Sequence, residues 1–159
     1  MKVGILSDSH DDLEAIAKAV ALFNAERVAQ VLHAGDIVSP FTFEIFRELR
    51  APFAGIYGNN DGDRLLLCER SGGALRVQPL LLTLDGLRLA VVHEPPLVNA
   101  LARSGDFGAV IYGHTHVPEV RREGESLVVN PGKAALLDKG RMTAALLETG
   151  TRDARIFDL

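Results

Sequence analysis

The chain has 159 residues, of which 47% are hydrophobic and 24% charged, with a net charge of −4. That length and balance fit one globular domain, residues 1–159, with a substantial core, and they exclude a disordered chain. The absence of any long Lys/Arg run argues against polymeric nucleic acid as an obligate partner.

The apolar run at residues 1–6 is cut short by Asp8, Asp11 and Asp12, which leaves it too short for a signal-peptide core or a membrane span. Cys68 is the single cysteine, so no internal disulfide forms; this fits a reducing compartment, and a cytoplasmic protein without a membrane partner is expected.

Residues 2–6 read as the first strand. Asp11 is placed to cap a helix, with Glu14 three residues on as in a capping box. Leu13, Ile16, Ala17 and Val20 recur at helical spacing and mark its buried stripe. Residues 28–32 form the next strand. Ser39-Pro40 opens a second helix, whose buried stripe is Phe41, Ile45, Phe46 and Leu49. Residues 53–57 are the third strand. Further on, residues 80–84 and 87–92 flank Asp85-Gly86, a two-residue hairpin signal. A short helix over 97–101 and a strand over 107–112 follow. Two more hairpins are centred on Gly124, between residues 117–122 and 126–129, and on Gly150, between 143–147 and 154–157. Alternating βα units followed by hairpins imply an α/β fold, with either one mixed sheet or two sheets packed face to face and helices outside.

Five polar clusters each follow an apolar run: Asp8-Ser9-His10, Gly35-Asp36, Gly58-Asn59-Asn60-Asp61, His93, and Gly113-His114-Thr115-His116. Taken singly they are ordinary. Asp-x-His is common in turns and caps, Gly-Asp is turn chemistry, and one histidine at a strand end is usually just hydrogen-bonded. Four of the five histidines in clusters of this kind is not ordinary. Sites in open α/β sheets form at the carboxyl ends of strands, so the clusters are expected to converge on one edge. Carboxylate, imidazole and amide oxygen without thiolate suit Mn²⁺ first, with Ni²⁺, Fe²⁺ or Zn²⁺ as alternatives, over Ca²⁺ or a structural zinc site. Two such ions can share a carboxylate and cleave a phosphate ester. His33, inside an apolar run, reads as a packed histidine supporting a ligand from behind. Asp11 and Asp12 read as helix-start residues, Asp61 as a support for the ligands, and Asn130-Pro131-Gly132 as a turn at the rim.

The order of these motifs resembles the calcineurin-like metallophosphoesterases. It is most similar to their small bacterial and archaeal phosphodiesterase branch, related to the retromer scaffold subunit. The resemblance spans nearly the whole chain and implies a four-layer α/β/β/α sandwich of two mixed sheets flanked by helices. It implies one metal on Asp8, His10, Asp36 and His116, and another on Asp36, Asn59, His93 and His114, with Asp36 bridging. A hydroxide held between the metals would attack phosphorus without a covalent enzyme intermediate. Asp36, Asn59, Asn60 and His93 are the candidate catalytic positions.

Two positions depart from patterns common in the superfamily. Asn60 stands where many members carry a histidine that protonates the leaving group or holds the phosphate, and Glu94 where a glycine is frequent. Both departures lean towards diesters or towards substrates with good leaving groups. A phosphomonoesterase, a nucleotide pyrophosphatase or a non-catalytic scaffold stand as alternatives. The expected partner is a small phosphorylated substrate, and a homodimer or larger homo-oligomer is left open.

Overall fold

The computed structural model describes residues 1–137 and 140–159. In chain order the elements are β1 (Lys2–Leu6), α1 (Leu13–Ala25), β2 (Gln30–His33), α2 (Phe43–Phe46), β3 (Phe53–Ile56), α3 (Arg64–Arg70), β4 (Leu75–Arg76), β5 (Leu80–Leu84), β6 (Leu87–Val91), α4 (Val98–Arg103), β7 (Ala109–Ile111), β8 (Glu119–Glu123), β9 (Ser126–Asn130), β10 (Thr143–Glu148) and β11 (Asp153–Asp158). Short 3₁₀ turns at Pro40–Thr42 and Pro95–Leu97 precede α2 and α4.

One sheet has the order β11-β10-β1-β2-β3-β4 and the other β5-β6-β7-β9-β8. β1 to β4 run parallel, as do β6, β7 and β9, while β10 pairs antiparallel with β1. Three apolar layers follow from the alternation of side chains along these strands. Val3, Ile5, Leu32 and Ile56 face Leu89, Val91, Ile111 and Val129 between the sheets. Ile16, Val20 and Phe23 of α1, Phe43 and Phe46 of α2 and Leu67 of α3 cover the outer face of the first sheet. Val98 and Ala102 of α4 cover Val110 and Val128 of the second. This is the four-layer α/β/β/α sandwich. Each fully buried Ile, Leu, Val or Phe contributes about 1.5–3 kcal/mol, so the strands form a rigid frame for whatever stands on their ends.

Several local expectations are corrected. The cap of α1 is Asp12, whose carboxylate accepts from Ala15 N at 3.0 Å. Asp11 has φ 61° and instead accepts from Ser39 N and Oγ at 2.8 and 2.6 Å. The α1 stripe is Ala15, Ile16, Ala19, Val20 and Phe23, with Leu13 and Ala17 exposed, because the buried face is centred on Phe23, with Leu13 at its margin and Ala17 turned away from it. β2 begins at Gln30, since Val28 N is committed to Phe23 O at the exit of α1. Phe41 is 53% exposed: it lies in a 3₁₀ turn, where the 3.6-residue spacing does not apply, and Phe43 is buried in its place, while Phe46 is buried as expected.

Candidate metal centre

β1, β2, β3, β6 and β7 all end on the same edge, and all five polar clusters follow them there. Asp8, Asp36 and His93 form a floor with at most 1% exposure. His10 and His116 are half-buried above it, and Asn59, Asn60 and His114 open to solvent.

Two glycines let the loops close this tightly. A Cβ at Gly58 would strike the Asp36 carboxylate, and one at Gly113 would strike the Ser7 hydroxyl and Asp8 Oδ2.

The donors fall into two groups that meet at Asp36. His116 Nε2 lies 3.3 Å from Asp8 Oδ1, and His10 Nε2 lies 3.8 Å from the same oxygen and 3.7 Å from Asp36 Oδ2. On the other side, His93 Nε2 is 3.4 Å from Asp36 Oδ2. Asn59 Oδ1 stands 2.9 Å from both His93 Nε2 and His114 Nδ1. The imidazoles pair the same way, edge to face, His10 with His116 at 5.4 Å and His93 with His114 at 5.2 Å.

These residues suit divalent cations. Asp8 Oδ1 and His10 Nε2 are buried without a hydrogen-bond partner among the described residues, an arrangement that costs free energy unless a cation takes the lone pairs. Asp8, His10 and His116 place three ligand atoms within 4.8 Å of one another, as do Asp8, Asp36 and His93. His93 Nδ1 donates to Ala34 O at 2.7 Å, which directs Nε2 toward Asp36, and such a backing bond is typical of metal-binding histidines.

Electrostatics concentrate on Asp36 and His93. Burial works against ionisation of Asp36. Hydrogen bonds from His93 and from the backbone and side chain of Asn60 outweigh it and hold the carboxyl well below the usual carboxylate range. Burial likewise opposes protonation of His93, but the bonds to Asp36 and Ala34 O and the charges of Asp36 and Asp8 raise its pKa. A proton here would compete with a metal.

The supporting contacts extend beyond the motifs. Asp61 accepts from three backbone donors: Asp36 N at 3.0 Å, Val38 N at 2.7 Å and Gly58 N at 2.7 Å. His33 is fully buried, and burial lowers its pKa to about 3. Its Nδ1 accepts from Gly35 N at 3.2 Å, so the neutral ring carries its proton on Nε2, 3.1 Å from Ser9 Oγ. One imidazole thus ties the loop of Asp8 and His10 to the loop of Asp36. Asn130 does more than turn the chain. Buried at the end of β9, it donates to Gly113 O and Thr115 Oγ1, both at 3.0 Å, and steadies the loop of His114 and His116. Ser7, which sequence reasoning passes over, donates to Asp8 Oδ2 at 2.5 Å. Asn60 places both its N–H groups on Asp36, at 2.8 and 2.7 Å. Glu94 is exposed at the start of the Pro95–Leu97 turn.

The calcineurin-like phosphoesterase superfamily domain matches residues 1–152. The chain belongs to this superfamily. A phosphodiesterase of Methanocaldococcus jannaschii is 35% identical to this calcineurin-like chain over 161 residues, covering 98% of it and 97% of the relative. A probable metallophosphoesterase of Methanothermobacter thermautotrophicus is 27% identical over 172 residues, covering 94% of each. A solved archaeal phosphodiesterase superposes with TM-score 0.93 at 35% identity, with both chains fully covered. The calcineurin-like fold also extends to Vps29 of Entamoeba histolytica, at TM-score 0.69 and 20% identity, covering 99% of this chain and 91% of that one. Among the described residues no helix is long and apolar enough to cross a membrane.

Proposed function

We propose that this chain is a phosphodiesterase that uses two divalent metal ions, one held by Asp8, His10, Asp36 and His116 and the other by Asp36, Asn59, His93 and His114. The observation that carries this reading is Asp36 Oδ2, which faces His10 Nε2 at 3.7 Å and His93 Nε2 at 3.4 Å and so stands between the two donor groups. Phosphodiesterase activity in a relative at 35% identity supports the substrate class. When bound, two such ions neutralise phosphoryl oxygens and make water acidic enough to attack at neutral pH. The donor set favours manganese, with nickel, iron and zinc as the comparison panel.

The chain's own groups do the positioning. Asn60 keeps Asp36 ionised through two hydrogen bonds, and the Nδ1–H bond of His93 to Ala34 O keeps the ring turned toward Asp36. Gly58 and Gly113 let the loops close over the carboxylates. The carboxamide of Asn60 donates hydrogen bonds but delivers no proton. A positioned acid typically contributes 10²–10⁴-fold, so without one the rate is expected to fall steeply as leaving-group pKa rises. A series of aryl diesters of graded phenol pKa, run at saturating metal, measures the slope. A shallow slope would assign the leaving-group proton to another donor.

Metal analysis combined with matched diester and monoester substrates tests the whole reading. Two equivalents of metal and faster diester turnover are expected. Faster monoester turnover would make the chain a phosphomonoesterase, and bound metal without hydrolysis of either would favour a scaffold.

A further inference from the structure

Next to the candidate ligands, but outside them, lies a pit of about 210 Å³ walled by Gln78, Pro79, Val92, Glu94, Pro96 and Leu97. Val92 is buried at 1% exposure, whereas Leu97 is 58% exposed. A single residue separates the pit from the site. The backbone N–H of His93 donates to Gln78 Oε1 at 2.7 Å, while the Nε2 of the same histidine stands 3.4 Å from Asp36 Oδ2. Val92 and Glu94, which flank His93 in the chain, both line the pit, so the pit borders the site at that residue.

We propose that this pit receives an uncharged planar ring carried on the substrate, so that aryl or heteroaryl diesters are preferred over alkyl ones. The proposal rests on the phosphodiesterase reading above. Three properties support it. The size fits, since an apolar cavity of about 150 Å³ accommodates benzene. The walls fit, since two prolines, a valine and a leucine offer apolar surface, and the prolines have little side-chain freedom to lose. A ring brings its apolar area on few rotatable bonds, where an alkyl chain of equal area would have several to immobilise. The charge also fits. None of the six residues is cationic and Glu94 contributes a carboxylate, so a second phosphate or a carboxylate on the substituent would be repelled with no partner. With Gln78 Oε1 occupied by His93, the amide hydrogens of that carboxamide can donate to an acceptor on the ring edge.

The test has two readouts. The first needs no turnover: benzyl alcohol titrated into the protein, followed through the methyl resonances of Val92 and Leu97. Saturable shifts are expected at those methyls and their loss in Leu97→Glu. The second is competitive inhibition of the metal-loaded enzyme by diphenyl phosphate and dimethyl phosphate. The phenyl compound is expected to bind about tenfold tighter, as suits one partly buried ring, and the ratio should fall toward one in Leu97→Glu and narrow in Leu97→Ala. Saturable shifts at Val92 and Leu97 in a protein that hydrolyses no diester would uphold the pit and sink only the phosphodiesterase reading. Absent or scattered shifts, or a phenyl-to-methyl ratio identical in native and variant proteins, would overturn the pit.

Discussion

Left-handed backbone occurs on both edges of the two sheets, and the two edges come by it differently. At the hairpin edge it falls at Asp85 and Gly86, at Gly124 and at Arg152, with Arg27 at the exit of α1. These are turn positions, and at Asp85-Gly86 and Gly124 the residue types suit the conformation. On the site edge it falls at Asp8, His10, Asp11, Asp36, Val38, His114 and His116, seven of the ten non-glycine residues with positive φ among those described. Val38, at φ 83°, is β-branched and has no local reason to be there. Each such residue costs on the order of 1–3 kcal/mol and persists only where its surroundings enforce it. Here the enforcement is long-range: Asp61 on Asp36 and Val38, His33 on Ser9, and Asp11 on Ser39. A hairpin turn is chosen by its own two residues, whereas the site loops are held by side chains more than twenty positions away.

The largest break in this contrast is Asp36→Ala, which removes the group shared by both donor sets. Activity is expected to fall by more than the 10–100-fold typical of losing a supporting partner, and metal content to drop below two equivalents. Elemental analysis and diester kinetics decide it; two retained equivalents with near-native turnover would remove Asp36 from the bridging position.

Asp61→Ala comes next. It leaves three backbone N–H groups without their acceptor. Unsatisfied buried donors cost about 1–3 kcal/mol each, tempered where water enters, so a loss of about 3 kcal/mol in urea unfolding is expected. Metal affinity, measured against a chelator, should weaken about 10–100-fold. Amide exchange should accelerate in the loops carrying Asp36 and Gly58 while the Asp85-Gly86 hairpin keeps native protection. Uniform acceleration would mean that Asp61 supports the fold at large.

How much of this was legible follows from the same contrast. That the eight candidate positions meet on one edge was readable because they lie in five short polar clusters, each at the end of an apolar strand, and parallel strands carry such ends to one edge. The hairpin at Asp85-Gly86 was readable because its turn chemistry is local. The supports were harder. Asp61 and His33 read as supports, but the bonds of Asp61 to Asp36 and Val38 and of Asn130 to Gly113 and Thr115 span 15 to 25 positions with no periodic relation, and Ser7 looks like any residue after a strand. α3 left no amphipathic trace, since Leu67 is buried while Leu65 is 85% exposed, and β4 is only two residues long. The cap of α1 was misplaced by one because Asp11 and Asp12 are the same residue type, and only the position of Ser39 tells them apart.

His33 sharpens the comparison through pH. Burial lowers its folded pKa to about 3, against about 6.5 unfolded. The unfolded chain therefore binds an extra proton between those values. The stability that comes from keeping the ring neutral is fully present above pH 6.5 and is lost as pH falls toward 3. The slope approaches about 1.4 kcal/mol per pH unit inside that window. His33→Gln lowers stability at pH 7 but removes this ionisation, so the gap between the two proteins should close on acidification from pH 6.5 to 4.5. Parallel curves of unfolding free energy against pH would show that His33 titrates alike in both states.

The smallest effect tests the other edge. Gly86 has φ 78°, and a Cβ built there meets nothing within 4 Å. Gly86→Ala therefore costs only the backbone preference of alanine against left-handed conformation, about 1 kcal/mol, with no steric clash added. Asp85 carries compensating bonds, from Thr149 Oγ1 at 2.8 Å and the chain's amino terminus at 3.3 Å, which hold the turn in place while the substituted residue is strained. The turn lies at the amino end of β6 and His93 follows its carboxyl end, with Leu89 and Val91 locked in the inter-sheet core between them. The strain should stay local: urea unfolding should shift by about 1 kcal/mol while metal affinity and turnover remain native. If Gly86→Ala instead weakens metal binding, the sheets transmit strain from edge to edge, and the loops of the site depend on the hairpin side of the fold as well as on Asp61 and His33.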